Sequence, residues 1–231
     1  MLERKSFPNR VDLAKALAEA VATDLKAAIA QRGRATLAVS GGTTPTKFFK
    51  ELGKRKDVDW DKVDVTLVDE RWVEETHDRS NARLVNETLL QGPAAVTHFV
   101  PLYSGGAGPD EAAIARTNKG LEEVDGPFAA VVLGMGNDGH TASFFPGGDT
   151  LEAALTQKGP ALAITAPGAG EPRVTLTLPR LLQTGGLYLH IEGEEKLQTL
   201  DKALGEGPVA DMPVRAVLRA TDHPITIFWA P

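Results

Sequence analysis

The chain has 231 residues, of which 42% are hydrophobic and 24% charged, a composition typical of a folded protein with an apolar core. Its formal net charge of −6 argues against a general nucleic-acid-binding protein, which would present a basic face. The sequence contains no cysteine, which excludes disulfides, zinc–thiolate sites and thiol nucleophiles.

The first residues carry scattered charges instead of an apolar signal core, and no uncharged apolar segment reaches the length of a membrane span. We therefore expect a soluble, cytoplasmic protein with no membrane partner. The five histidines show no spacing typical of metal ligands, so we expect neither a metal nor another cofactor.

Hydrophobic periodicity predicts helices and strands that alternate along the chain. The first helix, 11–31, has apolar residues at helical spacing and should end at Gly33. Further helices are predicted at 46–52, 81–90, 110–124, 179–183 and 194–204. Strands are predicted at 35–40, 63–70, 98–103, 128–135, 161–167, 173–178, 187–193 and 224–230.

Apolar strands separated by helices predict an α/β fold, namely a Rossmann-like, mostly parallel sheet with helices on both faces. The sequence shows no repeat, low-complexity tract or clear linker, so residues 1–231 are predicted to form one domain. In such sheets ligands bind beyond the carboxyl ends of the strands. Three polar clusters follow predicted strands and form the candidate site.

The first cluster is the segment 40–45, SGGTTP, between a strand and a helix. Its two glycines allow backbone N–H groups to approach an anion, and the following helix N-terminus adds a favourable dipole. Thr44 could cap that helix and Pro45 could occupy its first position. The alternative is an ordinary glycine turn, because the segment lacks the lysine of a nucleotide-binding P-loop.

The second cluster is Asp69, Glu70 and Arg71, at the end of an apolar strand. An acid followed by a cation could orient a polar substrate and hold negative charge, whereas a solvated charged turn is the structural alternative. Ser80 or Asn81 is predicted to cap the next helix.

The third cluster, 133–147, contains G-x-G-x-x-G. A dinucleotide-binding loop requires this pattern in a first βαβ unit followed by an acidic strand end, and neither condition is met. Only a short helix fits at 141–145 before a proline. The glycines are instead predicted to form a tight turn that presents Asp138 and His140. A histidine beside a carboxylate suits general-base activation of water. The alternative is that this loop histidine is an exposed surface residue with no catalytic role.

Two further basic side chains lie near the ends of predicted strands. Arg173 lies at the start of one strand, and Lys196 lies at a strand-to-helix turn. Each is ordinarily a solvated charge, but both become candidate ligands if a phosphate must be neutralised.

The three motifs in this order resemble those of the 6-phosphogluconolactonase family, and the resemblance runs from about Ser40 to beyond Lys196 and includes the segment 213–218. The chain is more distantly similar to glucosamine-6-phosphate deaminases, which share the fold and the D-G-H turn. Those deaminases typically carry a glutamate just before the Pro-Gly of the third motif, where this chain has Phe145. The resemblance therefore implies a lactone hydrolase whose partner is a small sugar-phosphate lactone.

The resemblance also implies roles for individual residues. His140 is expected to be the general base, with Asp138 orienting it and Asp69 holding substrate hydroxyls or the histidine network. Arg71 is expected to bind a substrate anion or polarise the lactone. The remaining expected ligands, for the phosphate group, are Ser40, Gly41, Gly42, Thr43, Arg173 and Lys196. A deaminase or isomerase of the same fold and a non-catalytic sugar-phosphate sensor remain alternatives.

Overall fold

A seven-stranded parallel sheet forms the centre of the computed structural model, which describes residues 2–124, 126–220 and 222–231. The ten strands of the described residues are β1 (Leu2–Ser6), β2 (Ala35–Val39), β3 (Val63–Leu67), β4 (Asp69–Arg71), β5 (His98–Val100), β6 (Phe128–Leu133), β7 (Ala161–Ile164), β8 (Arg173–Leu176), β9 (Thr184–Glu192) and β10 (Ile225–Ala230). The large sheet has the order β1-β10-β9-β6-β2-β3-β5, and β4-β8-β7 form a small antiparallel sheet.

Helices connect and cover these strands. They are α1 (Arg10–Arg32), α2 (Thr46–Gly53), α3 (Asn81–Thr88), α4 (Glu111–Leu121), α5 (Leu151–Thr156), α6 (Leu178–Leu181), α7 (Glu194–Leu204) and α8 (Val214–Leu218). Short 3₁₀ turns occupy Trp60–Lys62, Gly92–Val96, Glu122–Val124 and Val209–Asp211. Among the described residues, no helix combines the length and the apolarity that crossing a membrane requires.

The central strands are buried along their whole length. Every residue of β2, β3 and β6 is buried, as expected for parallel strands with both faces covered. Their apolar side chains form one continuous core with the inner faces of the helices. The prediction of a mostly parallel α/β sheet is therefore confirmed.

The longest helix, α1, shows how local sequence sets the ends of an element. Asn9 caps its start, with the side-chain oxygen accepting hydrogen bonds from the N–H groups of Val11 at 3.0 Å and Asp12 at 2.9 Å. Gly33 ends it in the left-handed conformation, φ 80°, which costs glycine little because it has no Cβ. Between these ends the buried face of α1 packs on the sheet.

Three predicted local features are wrong. The run 63–70 is not one strand, because the chain bends at Val68, whose N–H donates to Val39 and whose carbonyl accepts from Leu176. Thr44 does not cap α2, which begins at Thr46 with Pro45 in the capping position and no side-chain cap. No helix forms at 141–145, where an isolated bridge joins Thr141 to Phe144.

Three described elements have no counterpart among the predicted ones. Strand β1 pairs with β10 although all five of its residues are exposed, so it carries no apolar alternation. Helices α5 and α8 have only 6 and 5 residues, too few to establish a helical period.

The packing of α1 gives a stability test. Leu17 is fully buried in the core, so Leu17→Ala should lower the free energy of unfolding by about 2–5 kcal/mol through lost burial and a residual cavity. Lys15→Ala, on the exposed face of the same helix, should change it by less than about 0.5 kcal/mol. Urea unfolding followed by circular dichroism measures both, and equal losses would contradict the packing described here.

Candidate active site

A polar cavity of about 200 Å³ lies beyond the carboxyl ends of β2, β6 and β9. Parallel strands bring the loops that follow them to the same sheet edge, which explains why segments far apart in sequence meet here. The predicted site residues that line it are Ser40, Gly41, Gly42, Thr43, Asp69, Arg71, His140, Arg173 and Lys196. The remaining predicted residue, Asp138, contacts His140 from beside the cavity.

The loop after β2 is fixed to the loop after β6. The N–H of Ser40 donates to the carbonyl of Val132 at 2.9 Å, and the Ser40 Oγ accepts from the N–H of Gly134 at 3.0 Å. A Cβ at Gly41 would lie 1.9 Å from the Oδ1 atom of Asn81, so only glycine allows Asn81 to pack there. The loop thus reaches the N-terminus of α2, and its residues line the cavity.

The third motif forms the tight turn that the sequence predicts. The N–H of Gly136 donates to the carbonyl of His140 at 2.8 Å, and Gly139 adopts φ 78°. The Asp138 Oδ1 atom lies 2.6 Å from Nδ1 of His140 and also accepts from the His140 backbone N–H at 3.1 Å. With the Nδ1–H donating to Asp138, the Nε2 atom keeps its lone pair and can accept a proton.

The environment of Asp138 favours its charged form. Partial burial works against ionisation, but the hydrogen bond and the charge interaction with His140 outweigh it and lower the pKa of Asp138 below its usual value. The carboxylate therefore stays available as the acceptor that orients the imidazole ring.

Phe145 packs against the His140 ring. The two ring centroids are 4.2 Å apart with an interplanar angle of 27°, and the Cζ atom of Arg173 lies 5.3 Å from the Phe145 ring centroid. Phe145 is buried beside Ala166 and Ala169. An apolar wall therefore stands beside the His140 ring.

Asp69 joins the small sheet to the turn after β6. Its Oδ2 atom accepts a hydrogen bond from Ser143 Oγ at 2.5 Å and lies 3.6 Å from Nη1 of Arg173. Asn81 donates through Nδ2 to the Asp69 carbonyl at 2.9 Å. Burial lowers the pKa of Arg173, and the neighbouring Asp69 carboxylate partly offsets this effect.

Glu70 is a structural residue of the same cluster. It is fully buried and accepts hydrogen bonds from the N–H groups of Arg71, Asn81 and Ala82 and from the Ser80 hydroxyl, at 2.7–3.1 Å. Burial raises the pKa of Glu70, and the three backbone N–H groups oppose the rise. Together with Ser80, which caps α3 as predicted, it holds β4 against the start of that helix.

Arg71 and Lys196 bring positive charge to the cavity. Arg71 donates through Nη1 to the Arg79 carbonyl at 2.5 Å, while its buried Nε atom has no partner among the described residues. Lys196 lies in the first turn of α7 and forms no ion pair within the described part of the chain. Burial lowers the pKa of Lys196, and Glu195 and Asp138 oppose this shift.

Sequence reasoning missed Asn81 as a cavity residue, Ser143 as a partner of Asp69, and His190 on β9. Ser143 lies inside the third motif, so its position was the available signal. His190 gave none, because it is a single histidine in the mostly apolar run 187–191 with no motif around it. In the ranges that the structure describes, no three histidine, aspartate or glutamate side chains are grouped as metal ligands.

The fold and this site define an α/β protein with an aspartate–histidine pair and several cations around one polar cavity. The family described as glucosamine-6-phosphate isomerases/6-phosphogluconolactonase matches residues 8–229, and the chain belongs to that family.

Individual relatives agree with this assignment. The chain is 52% identical to a 6-phosphogluconolactonase of Rhizobium meliloti over 227 residues, which is 97% of each chain. The crystal structure of a 6-phosphogluconolactonase from Shewanella baltica is similar with a TM-score of 0.97 and 41% identity, covering 100% of this chain and 98% of that one. A monomeric glucosamine-6-phosphate deaminase, 17% identical over 99% of this chain and 97% of its own, shares the fold with a TM-score of 0.77.

The close approach at Gly41 gives a prediction. Gly41→Ala would drive a methyl group into the buried Asn81 side chain and break its hydrogen bond to Asp69, so we expect a loss of about 1–3 kcal/mol in the free energy of unfolding. Gly134→Ala is the matched control, because the nearest atom to its Cβ would be Ser40 Cβ at 3.9 Å. Urea unfolding of both variants is the measurement, and a neutral Gly41→Ala would disprove the close contact.

Proposed function

We propose that this chain hydrolyses 6-phospho-D-glucono-1,5-lactone to 6-phospho-D-gluconate, a step of the oxidative pentose phosphate pathway. The observation that carries the proposal is the 2.6 Å contact between Asp138 and His140 at the edge of a cavity lined with cations. The similar proteins from Rhizobium meliloti and Shewanella baltica are both named 6-phosphogluconolactonase, which supports the same activity.

In the proposed reaction, Nε2 of His140 takes a proton from a water molecule whose oxygen forms a bond to the lactone carbonyl carbon. Negative charge develops on the carbonyl oxygen, and the Arg71 guanidinium stabilises it. The intermediate collapses by breaking the ring C–O bond, and the imidazolium returns its proton to the leaving ring oxygen. The base is thus regenerated and one water is consumed.

Three groups are proposed to hold the phosphate. The backbone of Gly41, Gly42 and Thr43 supplies N–H donors near the N-terminus of α2, and Lys196 supplies a charge from the first turn of α7. The Ser40 N–H already donates to Val132, so Ser40 contributes through its hydroxyl, whose oxygen accepts from Gly134 and whose hydrogen can donate to the phosphate. Arg173 is the third candidate. Arg173 lies beside Asp69 and Phe145, on the same side of the cavity as His140. Its positive charge would therefore act on the substrate from that side.

Phe145 argues against deamination as the activity. A deaminase must move protons between substrate atoms, and a second carboxylate at the position of Phe145, in addition to Asp138, would suit that task. Here the phenyl ring is stacked on His140 at 4.2 Å and cannot carry a proton. Release of ammonia from glucosamine 6-phosphate tests this alternative directly, and we expect none.

His140→Ala gives the main test of the mechanism. Loss of the general base should lower kcat/KM for freshly made 6-phosphogluconolactone by about 10²–10⁴. The thermal unfolding temperature should stay near that of the wild type, because the His140 side chain is partly exposed. The assay follows the product, 6-phosphogluconate, by absorbance through its coupled oxidation at near-neutral pH. The rate of spontaneous opening of the lactone ring is subtracted.

His223→Ala is the control, since His223 lies in a loop outside the cavity lining. It should keep wild-type kcat/KM. A His140→Ala variant as active as this control would remove His140 from the mechanism, and a wild-type rate equal to background would refute the lactonase proposal.

Lys196 gives a prediction about pH. Because burial lowers the pKa of Lys196, its charge is lost at a lower pH than for an ordinary lysine, so binding of 6-phosphogluconate should weaken as pH rises through that value. Lys196→Arg should preserve binding to higher pH, and Lys196→Met should weaken it about tenfold or more at pH 7. Calorimetric titrations from pH 7 to 10 check this, and a Met variant that binds like the wild type would exclude Lys196 as a phosphate ligand.

A further inference from the structure

His190 is a cavity residue to which the mechanism above gives no task. It lies near the carboxyl end of β9, is 2% exposed, and lines the same cavity as Lys196 and the loop 40–45. A buried histidine needs partners for both ring nitrogens, because an unpaired polar atom away from water costs as much as a lost hydrogen bond.

Only one of those nitrogens has a partner among the described residues. The Nε2 atom of His190 lies 3.3 Å from Oε1 of Glu192, and the other carboxylate oxygen of Glu192 lies 3.4 Å from Nη1 of Arg10. The Nδ1 atom is buried and unpartnered. The Glu192 carboxylate fixes a proton on Nε2, since a carboxylate can only accept.

The surroundings of His190 place it beside the loop 40–45 and the start of α2. Its ring packs edge-on against Phe48, with centroids 6.1 Å apart, and Phe48 lies in the first turn of α2, next to the loop 40–45. Lys196 follows six positions later on the first turn of α7. The charged groups around His190 are therefore Glu192 and Arg10 behind it and Lys196 along the cavity wall. The Asp138–His140 pair lies on the turn after β6, whose Asn137 side chain donates to Glu195 at the start of α7.

We propose that Nδ1 of His190 donates a hydrogen bond to the substrate's phosphate group, so that His190 selects phosphorylated substrates. With Nε2 held by Glu192, Nδ1 donates when both nitrogens carry protons, and the imidazolium then lies between two anions, the Glu192 carboxylate and the phosphate. The inference rests on the proposed function for the identity of the substrate, but binding of phosphate itself tests it without turnover.

Two isosteric variants separate the ring nitrogens. The amide nitrogen of His190→Asn can occupy the place of Nδ1, whereas that of His190→Gln can occupy the place of Nε2. We expect His190→Gln to raise the Kd for inorganic phosphate and the KM for the phosphorylated lactone about tenfold, with kcat within about twofold of wild type. His190→Asn should recover much of this loss. Both variants should hydrolyse unphosphorylated glucono-1,5-lactone as well as the wild type does.

A structural role for His190 would give other results. Equal losses on both lactones, or a phosphate Kd unchanged in His190→Gln, would overturn the proposal. The wild-type protein provides a test that needs no variant to fold. In protein labelled with ¹⁵N-histidine, added inorganic phosphate should move the Nδ1 resonance of the buried histidine to the protonated, hydrogen-bonded position, and an unmoved resonance would also overturn it.

These readouts keep the two proposals distinct. If the wild type shows no lactonase activity but phosphate moves the His190 resonance, the phosphate contact stands and the proposed reaction fails. If the lactonase assay succeeds and phosphate leaves His190 unchanged, the reaction stands and the phosphate contact fails.

Discussion

The buried Asp69 carboxylate links the small sheet to the large sheet at the candidate site. Asp69 lies on β4 of the small sheet, yet Oδ2 accepts from Ser143 on the turn that follows β6 of the large sheet. The same oxygen lies 3.6 Å from Arg173 on β8. Removing one member of such a buried pair leaves a charge without compensation, which typically costs about 3–5 kcal/mol. Asp69, Ser143 and Arg173 therefore constrain one another and, through Phe145, the ring of His140.

The contact between Asp138 and His140 depends on tight backbone geometry in the same way. A Cβ at Gly136 would lie 2.1 Å from Nδ1 of His140, and a Cβ at Gly139 would lie 2.8 Å from Cβ of Met212. The carbonyl of Gly139 also accepts the N–H of Val214, at the start of α8. The C-terminal segment 213–218, noted in the sequence only through a family resemblance, thus acts as the support behind the turn.

Sequence patterns predict most of the fold because burial leaves a periodic signal. The predicted helix 194–204 matches α7 at both ends, and Gly33 marks the end of α1 because its left-handed conformation is typical of glycine at helix ends. Strand β1 lacks such a signal, since its five exposed residues are held by pairing with β10 alone. The bend at Val68 is hidden for the opposite reason, because the residues on both sides of it are buried.

The residues of the candidate site also fall into those that a sequence pattern reveals and those that it does not. Residues in glycine-rich or charged segments at the ends of predicted strands, such as Asp138 and Arg71, stand out because such segments commonly carry binding and catalytic groups. Asn81 and His190 could not be recognised, because their importance depends on which elements meet in space. The Asn81 side chain fits only because Gly41 has no Cβ atom. His190 stands out only because its buried Nδ1 atom lacks a hydrogen-bond partner among the described residues.

The charge distribution is compatible with the anionic substrate that we propose, although the chain as a whole is acidic. The net charge of −6 is spread over the whole molecule, and at physiological ionic strength such charges are screened over about 8 Å. Arg71, Arg173 and Lys196 line the cavity and are partly or largely shielded from water. Burial lowers the pKa of Arg173 and of Lys196, which shows that each is held where positive charge is costly. In the function that we propose, a phosphorylated ligand offsets that cost, so local desolvated cations rather than the overall charge would determine which substrate binds.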